Sequence, residues 1–382
     1  MIQNKRYPFE KSWRWQIIRL LDAFFDLFST SFKKRPFPKQ VRRILVIRLD
    51  QIGDIVCALP VFSLLKRRFP EAQISALVSR EGEAILKENP FVDEILVFQN
   101  NWFSQNRSFH PLQFLKILFT MRKKRFDLGF DLRGDLRPIL LMVLAGVRYR
   151  IGYGIGGGGG LLQNERPYDM GLHQVELNAR LVSDQILRKS DLKPEIYLKE
   201  SEKLEVLNEL RNRGAKDGAR LIALHPEAGY PSKEWEEEKF RKLIASFLED
   251  LHNTVLIFGI SKKAEQLAGH FLNSSRVINL VSAFSLRRMI VALSQCDVFI
   301  GNDSGPSHIA QAVGIPVVVV ASGTNEYEKW GVWCEQTSVL KHDVPCAPCH
   351  LQYCKVQGHP CMSEISVEEV SEAARKLAEV AG

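Results

Sequence analysis

Short apolar runs alternate with longer segments of helical periodicity along most of this chain. Strands that alternate with helices predict βαβ units and a parallel sheet. The alternation stops in a polar stretch around Pro194 and then restarts. We therefore predict an α/β protein with two Rossmann-like parallel-sheet domains that face a cleft. The predicted divisions are 41–190 for the first domain, 191–200 for a linker, 201–362 for the second domain and 363–382 for a C-terminal helix.

Residues 296–322 carry the clearest candidate for a ligand site. They read as a strand, a tight loop, a helix and a second strand. A loop at the carboxyl end of a parallel strand, leading into a helix N-terminus, favours anions. Asp303 could take sugar hydroxyls, Ser304 could take phosphate oxygens, and His308 could face the same ligand. Asp303 and Ser304 are also good helix caps, so the local pattern leaves both interpretations open.

Two other predicted loops each carry one charged residue that is a candidate for a functional role. Asp54 stands at the start of the first predicted helix, where a carboxylate also interacts favourably with the helix dipole. Lys233 follows the predicted strand 220–224 and could hold a diphosphate, although a lone lysine is often only solvated.

A glycine-rich run extends from Gly152 to Gly160, where seven of nine residues are glycine. No predicted strand leads directly into it and no helix opens from it, so it lacks the context of a dinucleotide-binding loop. We interpret it as a mobile loop on the rim of a cleft, with a phosphate cradle as the alternative.

The net charge of +8 is concentrated at the N-terminus, where we predict a basic amphipathic extension over residues 1–40. Residues 1–43 hold eleven Lys and Arg against three carboxylates, so the rest of the chain is formally neutral. A neutral body argues against nucleic acid as a partner. Trp13, Phe24 and Phe28 share a wide apolar helical face in this extension. That pattern is typical of a helix on an anionic membrane surface, but the same face could pack on the protein body or on a second copy.

Composition places the chain among cytosolic globular proteins. It has 382 residues, 45% hydrophobic and 25% charged. No apolar run approaches the roughly 20 residues of a membrane span, and we see no secretory signal. Seven cysteines, an odd number, fit a reducing compartment better than a disulfide framework.

Four of those cysteines fall within sixteen residues near the C-terminus: Cys346, Cys349, Cys354 and Cys361. Four thiolates are a plausible structural zinc site, although only the first pair has the usual two-residue spacing. Reduced thiols in a loop are the alternative.

Several motifs stand in register along the chain. They are Ile47–Asp54 with Ala58–Pro60, Arg150–Tyr153, His225–Gly229 with Pro231–Lys233 and Trp235, and Gly301–His308. Together they resemble glycosyltransferase family 9, the heptosyltransferases of lipopolysaccharide core assembly, over roughly residue 43 to the C-terminus. The last motif is the most specific.

The resemblance implies a GT-B fold with an N-terminal acceptor domain and a C-terminal nucleotide-sugar domain. The implied reaction is inverting transfer of heptose from ADP-heptose to a lipid-linked core oligosaccharide, with no required cofactor. Together with the basic extension and the absence of a secretory signal, we predict a cytoplasmic location, peripheral on the cytoplasmic face of the inner membrane.

Roles for individual residues also follow from the resemblance. Asp54 matches the base that takes the acceptor hydroxyl's proton. Lys233 and the amides of Ser304 and Gly305 match the groups that stabilise the departing diphosphate. The remaining implied contacts are Asp303, His308 and Ser232 on the donor side and Arg48 and Gly53 on the acceptor side.

This chain departs from the family pattern in two places. Glu227 stands where the family usually carries glycine, and a carboxylate beside a diphosphate is unfavourable unless it points away. Lys262 and Lys263 stand where acidic residues are common, which leaves Glu265 as the nearest candidate for binding the ribose.

Two other classes of protein remain as rivals. A nucleotide-binding oxidoreductase is disfavoured because neither half has a GxGxxG loop after its first strand. A catalytically inactive GT-B protein, or one that binds a different nucleotide sugar at the membrane surface, shares the same fold.

Overall fold

The computed structural model describes residues 22–23, 35–98, 111–185 and 187–381. The chain divides into two compact units, residues 1–192 and 193–382, which we call the N-terminal and C-terminal units. Most of the extension over residues 1–40 lies outside the described residues, so its amphipathic helix stays a prediction.

The N-terminal unit contains one six-stranded sheet in the order β3-β2-β1-β4-β5-β6, with every neighbouring pair parallel. Its first strand is central, and Ile44–Ile47 are almost completely buried. Strands covered on both faces carry continuous apolar runs. The strands are β1 Arg43–Arg48, β2 Gln73–Val78, β3 Glu94–Val97, β4 Leu128–Asp131, β5 Tyr149–Gly152 and β6 Asn164–Glu165.

Helices connect these strands. Side chains of Ser79 and Asp135 cap two of them by accepting bonds from first-turn amides. The single helix expected after β1 is two helices, because Pro60 begins a second one at its first turn. The helices are α1 Ile52–Val56, α2 Leu59–Arg68, α3 Arg80–Leu86, α4 Pro111–Lys124, α5 Leu136–Leu144 and α6 Gln174–Val182.

The C-terminal unit repeats this arrangement. Its sheet has the order β12-β11-β10-β7-β8-β9, again all parallel, with its own first strand, β7, between β10 and β8. Val317–Val320 are fully buried. The strands are β7 Arg220–His225, β8 Asn253–Ile257, β9 Val277–Asn279, β10 Val298–Asn302, β11 Val317–Ala321 and β12 Thr337–Lys341.

The last helix of this unit packs into its core through Val370 and Ala374. This helix begins with a capping box, since the Glu369 carboxylate accepts a bond from the Ser366 amide at 2.8 Å. The helices are α7 Glu200–Asn212, α8 Glu237–Phe247, α9 Lys262–Gly269, α10 Leu286–Leu293, α11 Gly305–Ala312, α12 Tyr327–Trp330, α13 Pro360–Ser363 and α14 Val367–Ala381. Within the described part of the chain, no helix is long and apolar enough to cross a membrane.

The interpretation of the glycine run as a mobile rim loop is wrong. Strand β5 leads directly into the run, and Gly157–Gly160 are buried. The run packs backbone against backbone: a Cβ on Gly156 would lie 2.9 Å from the Gly134 carbonyl oxygen. The Gly158 amide also donates to Asp22 Oδ1 at 2.5 Å, so the described part of the extension contacts this run.

Strand β5 was missed because Arg150 lies in it. This side chain is 2% exposed, and its guanidinium donates to the carbonyl oxygens of Leu161 and Val147, each at 2.8 Å. Burial lowers the pKa of Arg150 to about 10. A buried charge satisfied by backbone carbonyls cannot be recognised from hydrophobic periodicity.

Candidate active site

Asp54 lies in α1, at the carboxyl end of the central strand β1. Its Oδ1 is 2.7 Å from Nη2 of Arg48, the last residue of that strand, and the Asp54 side chain is 24% exposed. Gly53 lies in the same short helix. The carboxylate is therefore oriented by a buried cation and still reaches solvent.

A second carboxylate holds Arg48 in place. Nε of Arg48 is 2.9 Å from Oδ2 of the buried Asp50, and Arg133 forms an ion pair with the other oxygen of Asp50. Burial lowers the pKa of Arg133 to about 10, although the neighbouring charge of Asp135 opposes this. Asp50 and Arg133 were not among the site residues predicted from the sequence. Asp50 stands within the Ile47–Asp54 motif, and Arg133 follows β4, which pairs with β1.

The loop that carries Arg133 is fixed by a fully buried carboxyl group. Asp131 accepts bonds from the amides of Arg133, Gly134 and Asp135 at 3.1, 2.8 and 3.1 Å. Burial raises the pKa of Asp131 to about 7, and these amide bonds oppose the rise. The Gly156 amide donates to the Gly134 carbonyl at 2.5 Å, so the glycine run supports this loop from its other side.

In the C-terminal unit, Lys233 and Asp303 form a buried ion pair. Lys233 Nζ lies 2.8 Å from Asp303 Oδ2, and the two side chains are only 11% and 10% exposed. Lys233 ends a short 3₁₀ turn after β7, and Asp303 follows β10. The pair stands beside the N-terminus of α11, where the helix dipole adds positive potential.

The helix-cap interpretation of Ser304 is wrong. Ser304 occupies the N-cap position of α11 but makes no side-chain cap bond. Its Oγ is buried and has no hydrogen-bond partner among the described residues. A buried hydroxyl without a partner is costly, and a bound ligand oxygen would satisfy it.

Asn302, the last residue of β10, ties the two loops of this site together. Its Oδ1 accepts a bond from the Trp235 amide at 3.0 Å, and its Nδ2 donates to the Pro226 carbonyl at 2.8 Å. Asn302 is completely buried. The spacing of Lys233 and Asp303 therefore rests on a side-chain link that the sequence analysis did not assign.

The Glu227 carboxylate is held by the loop after β8. It accepts bonds from the amides of Ile260 at 2.9 Å and Ser261 at 2.7 Å. It thus connects the loop after β7 to the loop after β8. Burial lowers the pKa of the neighbouring His225, and the negative charge of Glu227 opposes this shift.

The chain is similar in sequence to several known proteins. The model of glycosyltransferase family 9 (heptosyltransferase) matches residues 114–359. The chain belongs to glycosyltransferase family 9. A lipooligosaccharide heptosyltransferase 2 of Campylobacter jejuni is 25% identical over 335 residues, 85% of this chain and 95% of that protein. A second C. jejuni protein of that name is 30% identical over 169 residues, 42% of this chain and about half, 52%, of that relative.

The family 9 fold is also seen in solved structures. The structure of Escherichia coli ADP-heptose lipopolysaccharide heptosyltransferase II has a TM-score of 0.71 and 21% identity, covering 88% of this chain and 99% of that chain. This confirms the predicted GT-B fold with two Rossmann-like α/β units.

The other predicted donor residues of this family 9 enzyme have different surroundings. His308 is buried in α11, whereas Glu265 is exposed on the first turn of α9. The Ser232 hydroxyl donates to the Leu351 carbonyl, so it is engaged within the protein. Gly305 is the first residue of α11.

The four C-terminal cysteines of this family 9 enzyme are free thiols that line one cavity. As the side chains stand, the described residues include no group of three or more His, Cys, Asp or Glu that could hold a metal ion. The predicted zinc site therefore lacks ligand geometry here, although the thiols are brought together.

Proposed function

We propose that this protein is an inverting glycosyltransferase that moves heptose from ADP-heptose to a lipid-linked core oligosaccharide of lipopolysaccharide. The observation that carries the donor assignment is the buried Lys233–Asp303 pair beside the N-terminus of α11. Family membership and the names of the relatives support heptose as the sugar.

The C-terminal unit would bind the diphosphate of the donor. Lys233 offers a cation, and the first turn of α11 offers backbone amides and a positive dipole. The partnerless Ser304 hydroxyl would donate to a phosphate oxygen. Asp303, held by Lys233, would accept bonds from sugar hydroxyls and keep the lysine near the leaving group.

The N-terminal unit would supply the base. In an inverting displacement the acceptor oxygen attacks the anomeric carbon while the bond to the ADP oxygen breaks. Asp54 would take the acceptor hydroxyl's proton, and ADP would leave with the bonding electron pair. Its 24% exposure gives an acceptor access, and Arg48 fixes its direction at 2.7 Å.

The acceptor is lipid-linked in this proposal, which places the enzyme on the cytoplasmic face of the inner membrane. The extension over residues 1–40 is one proposed contact with the anionic surface. Helix α4 offers another: Leu112, Leu115 and Phe119 are 81%, 46% and 65% exposed along one face. Lys116 and Lys123 are exposed beside this stripe, as an anionic leaflet requires.

The test is turnover of ADP-heptose by the purified chain with Kdo–lipid A and heptosylated acceptors offered in parallel. We expect ADP release that depends on one of these acceptors and is absent with UDP- and GDP-sugars. Nucleotide-sugar binding without turnover on any acceptor would favour the inactive GT-B alternative instead.

A further inference from the structure

Described residues of the extension that precedes β1 are fixed to the N-terminal unit. Asp22 is 1% exposed, and its Oδ1 accepts a bond from the Gly158 amide at 2.5 Å. Further along the extension, the Phe37 ring packs edge-on against Tyr149, with the ring centroids 5.2 Å apart. Tyr149 begins β5, and Gly158 lies in the glycine run that follows this strand. The extension therefore contacts both the strand and the run.

The amide of Gly158 needs the acceptor that Asp22 supplies. Gly158 is buried and has a left-handed backbone, with φ +84°, and a Cβ there would lie 3.1 Å from Leu136 and 3.3 Å from Ile139 of α5. A buried amide that finds no acceptor is costly. The Asp22 carboxylate provides one from 136 residues away in the sequence. This bond therefore fixes the glycine run against α5.

The glycine run in turn holds the loop that follows β4. The Gly156 amide donates to the Gly134 carbonyl at 2.5 Å, and the Leu136 amide donates to the Gly156 carbonyl at 3.4 Å. These two bonds form a parallel bridge between Gly156 and Asp135. The run and the loop are thus paired like two short strands, so a shift of one moves the other.

We propose that Asp22 is a positioning residue for the transfer reaction. It fixes the glycine run, the run fixes the loop after β4, and that loop keeps Arg133 on the buried Asp50. Asp50 also pairs with Arg48, which orients Asp54. Asp22 acts on the base only through these contacts. This role rests on the proposed function, in which Asp54 is the base.

The first experiment follows the loop directly and does not depend on turnover. Hydrogen exchange of the full-length chain, read by mass spectrometry, is compared between wild type and Asp22→Ala. Loss of a bond to a charged group should speed exchange about tenfold in peptides that cover 132–136 and 154–160. Peptides from β11 should be unchanged. Unchanged exchange in 132–136, or faster exchange in both units alike, would overturn the proposed linkage.

Two matched variants identify the contact that matters. Asparagine keeps an oxygen that can accept the Gly158 bond, so exchange in Asp22→Asn should lie closer to wild type than exchange in Asp22→Ala. Asp184→Ala is the control, because Asp184 is a 64% exposed carboxylate of the same unit and should leave the loop unaffected. Exchange as fast in Asp22→Asn as in Asp22→Ala would show that this hydrogen bond does not fix the run.

Steady-state kinetics test the role of Asp22 in the reaction. In Asp22→Ala, kcat should fall about tenfold, while KM for ADP-heptose and the affinity for ADP stay within twofold, because Asp22 belongs to the other unit from the proposed donor site. A wild-type kcat in this variant, with loop exchange raised, would overturn the positioning role. A wild-type protein that transfers no sugar, with the exchange difference present, would contradict the proposed function and leave the link between extension and loop established.

Discussion

The two units share one topology but differ in the chemistry of their loops. In each, the first strand is central and six parallel strands follow the same order. At the carboxyl end of β1, the N-terminal unit joins Asp54 and Asp50 through Arg48. At the matching end of β7 and β10, the C-terminal unit places Lys233 beside Asp303 and a helix N-terminus.

This difference shows that the sheet positions the site, whereas the loops carry the side chains that determine its function. A partly exposed carboxylate held by an arginine suits proton transfer. A buried lysine at a helix N-terminus suits an anion. We therefore expect substitutions in the N-terminal unit to affect turnover and substitutions in the C-terminal unit to affect nucleotide binding.

The largest effect is expected for Asp54→Asn. Asparagine keeps the size of the side chain but cannot take a proton, so kcat should fall by roughly 10²- to 10⁴-fold. ADP affinity, measured by calorimetry, should stay within twofold. Asp184→Asn is the control, since Asp184 is 64% exposed in the same unit and should leave kcat unchanged. Equal losses in both variants would contradict the assignment of the base.

Lys233→Met tests the other unit. It removes the cation and leaves Asp303 facing the phosphates, so ADP affinity should fall by roughly 10- to 100-fold. Lys242→Met is the control, because Lys242 is exposed on α8. ADP affinity that is unchanged in Lys233→Met would show that the diphosphate binds elsewhere.

The sequence predicts the shared part of the two units better than the parts that differ. Hydrophobic periodicity is enough to predict that strands and helices alternate in both units. It does not reveal Arg150, whose charge is buried against backbone carbonyls, and it misreads the glycine run as mobile. Glycine permits motion and also permits backbones to approach closely, and only the Gly156–Gly134 contact distinguishes these two uses.

For the candidate site, too, the sequence predicts some residues and misses others. Asp54, Lys233 and Asp303 could be named from the sequence, but their predicted roles rest on the resemblance to family 9 and not on spacing alone. Asp50 and Asn302 act by linking segments that are distant in sequence, so no local pattern assigns their partners. The orientation of Glu227 depends on two amides more than thirty residues away.

Gly156→Ala tests whether the glycine run supports the loop of the base network. The new Cβ would lie 2.9 Å from the Gly134 oxygen and 3.1 Å from the Asp135 Cα, so the loop must shift. We expect a loss of about 1–3 kcal/mol in the free energy of unfolding, measured by denaturant titration. In Gly171→Ala the nearest atom is 3.4 Å away, and this control should remain near wild type. Equal free energies of unfolding in the two variants would mean that the structure around Gly156 relaxes without a measurable cost.

A smaller effect is expected for the proposed membrane surface. Changing Leu112, Leu115 and Phe119 together to serine removes the exposed stripe of α4 and should weaken binding to anionic vesicles about tenfold. The control changes Leu204, Leu251 and Leu272, which are 60%, 79% and 79% exposed in the C-terminal unit. Equal vesicle binding by the two triple variants would show that α4 does not contact the membrane.

Deleting residues 1–36 should abolish flotation with the same vesicles. Flotation that survives the deletion would show that the extension is not the anchor.

The central claim is that one unit activates an acceptor while the other holds an ADP-linked heptose. The most direct test follows ADP release and heptosylated product together, in one reaction containing ADP-heptose, Kdo–lipid A and its heptosylated form. The account predicts one product per ADP from wild-type protein, no product from Asp54→Asn, and unchanged ADP binding in that variant. Product formed at the wild-type rate by Asp54→Asn, or preferential use of a UDP- or GDP-sugar, would contradict it.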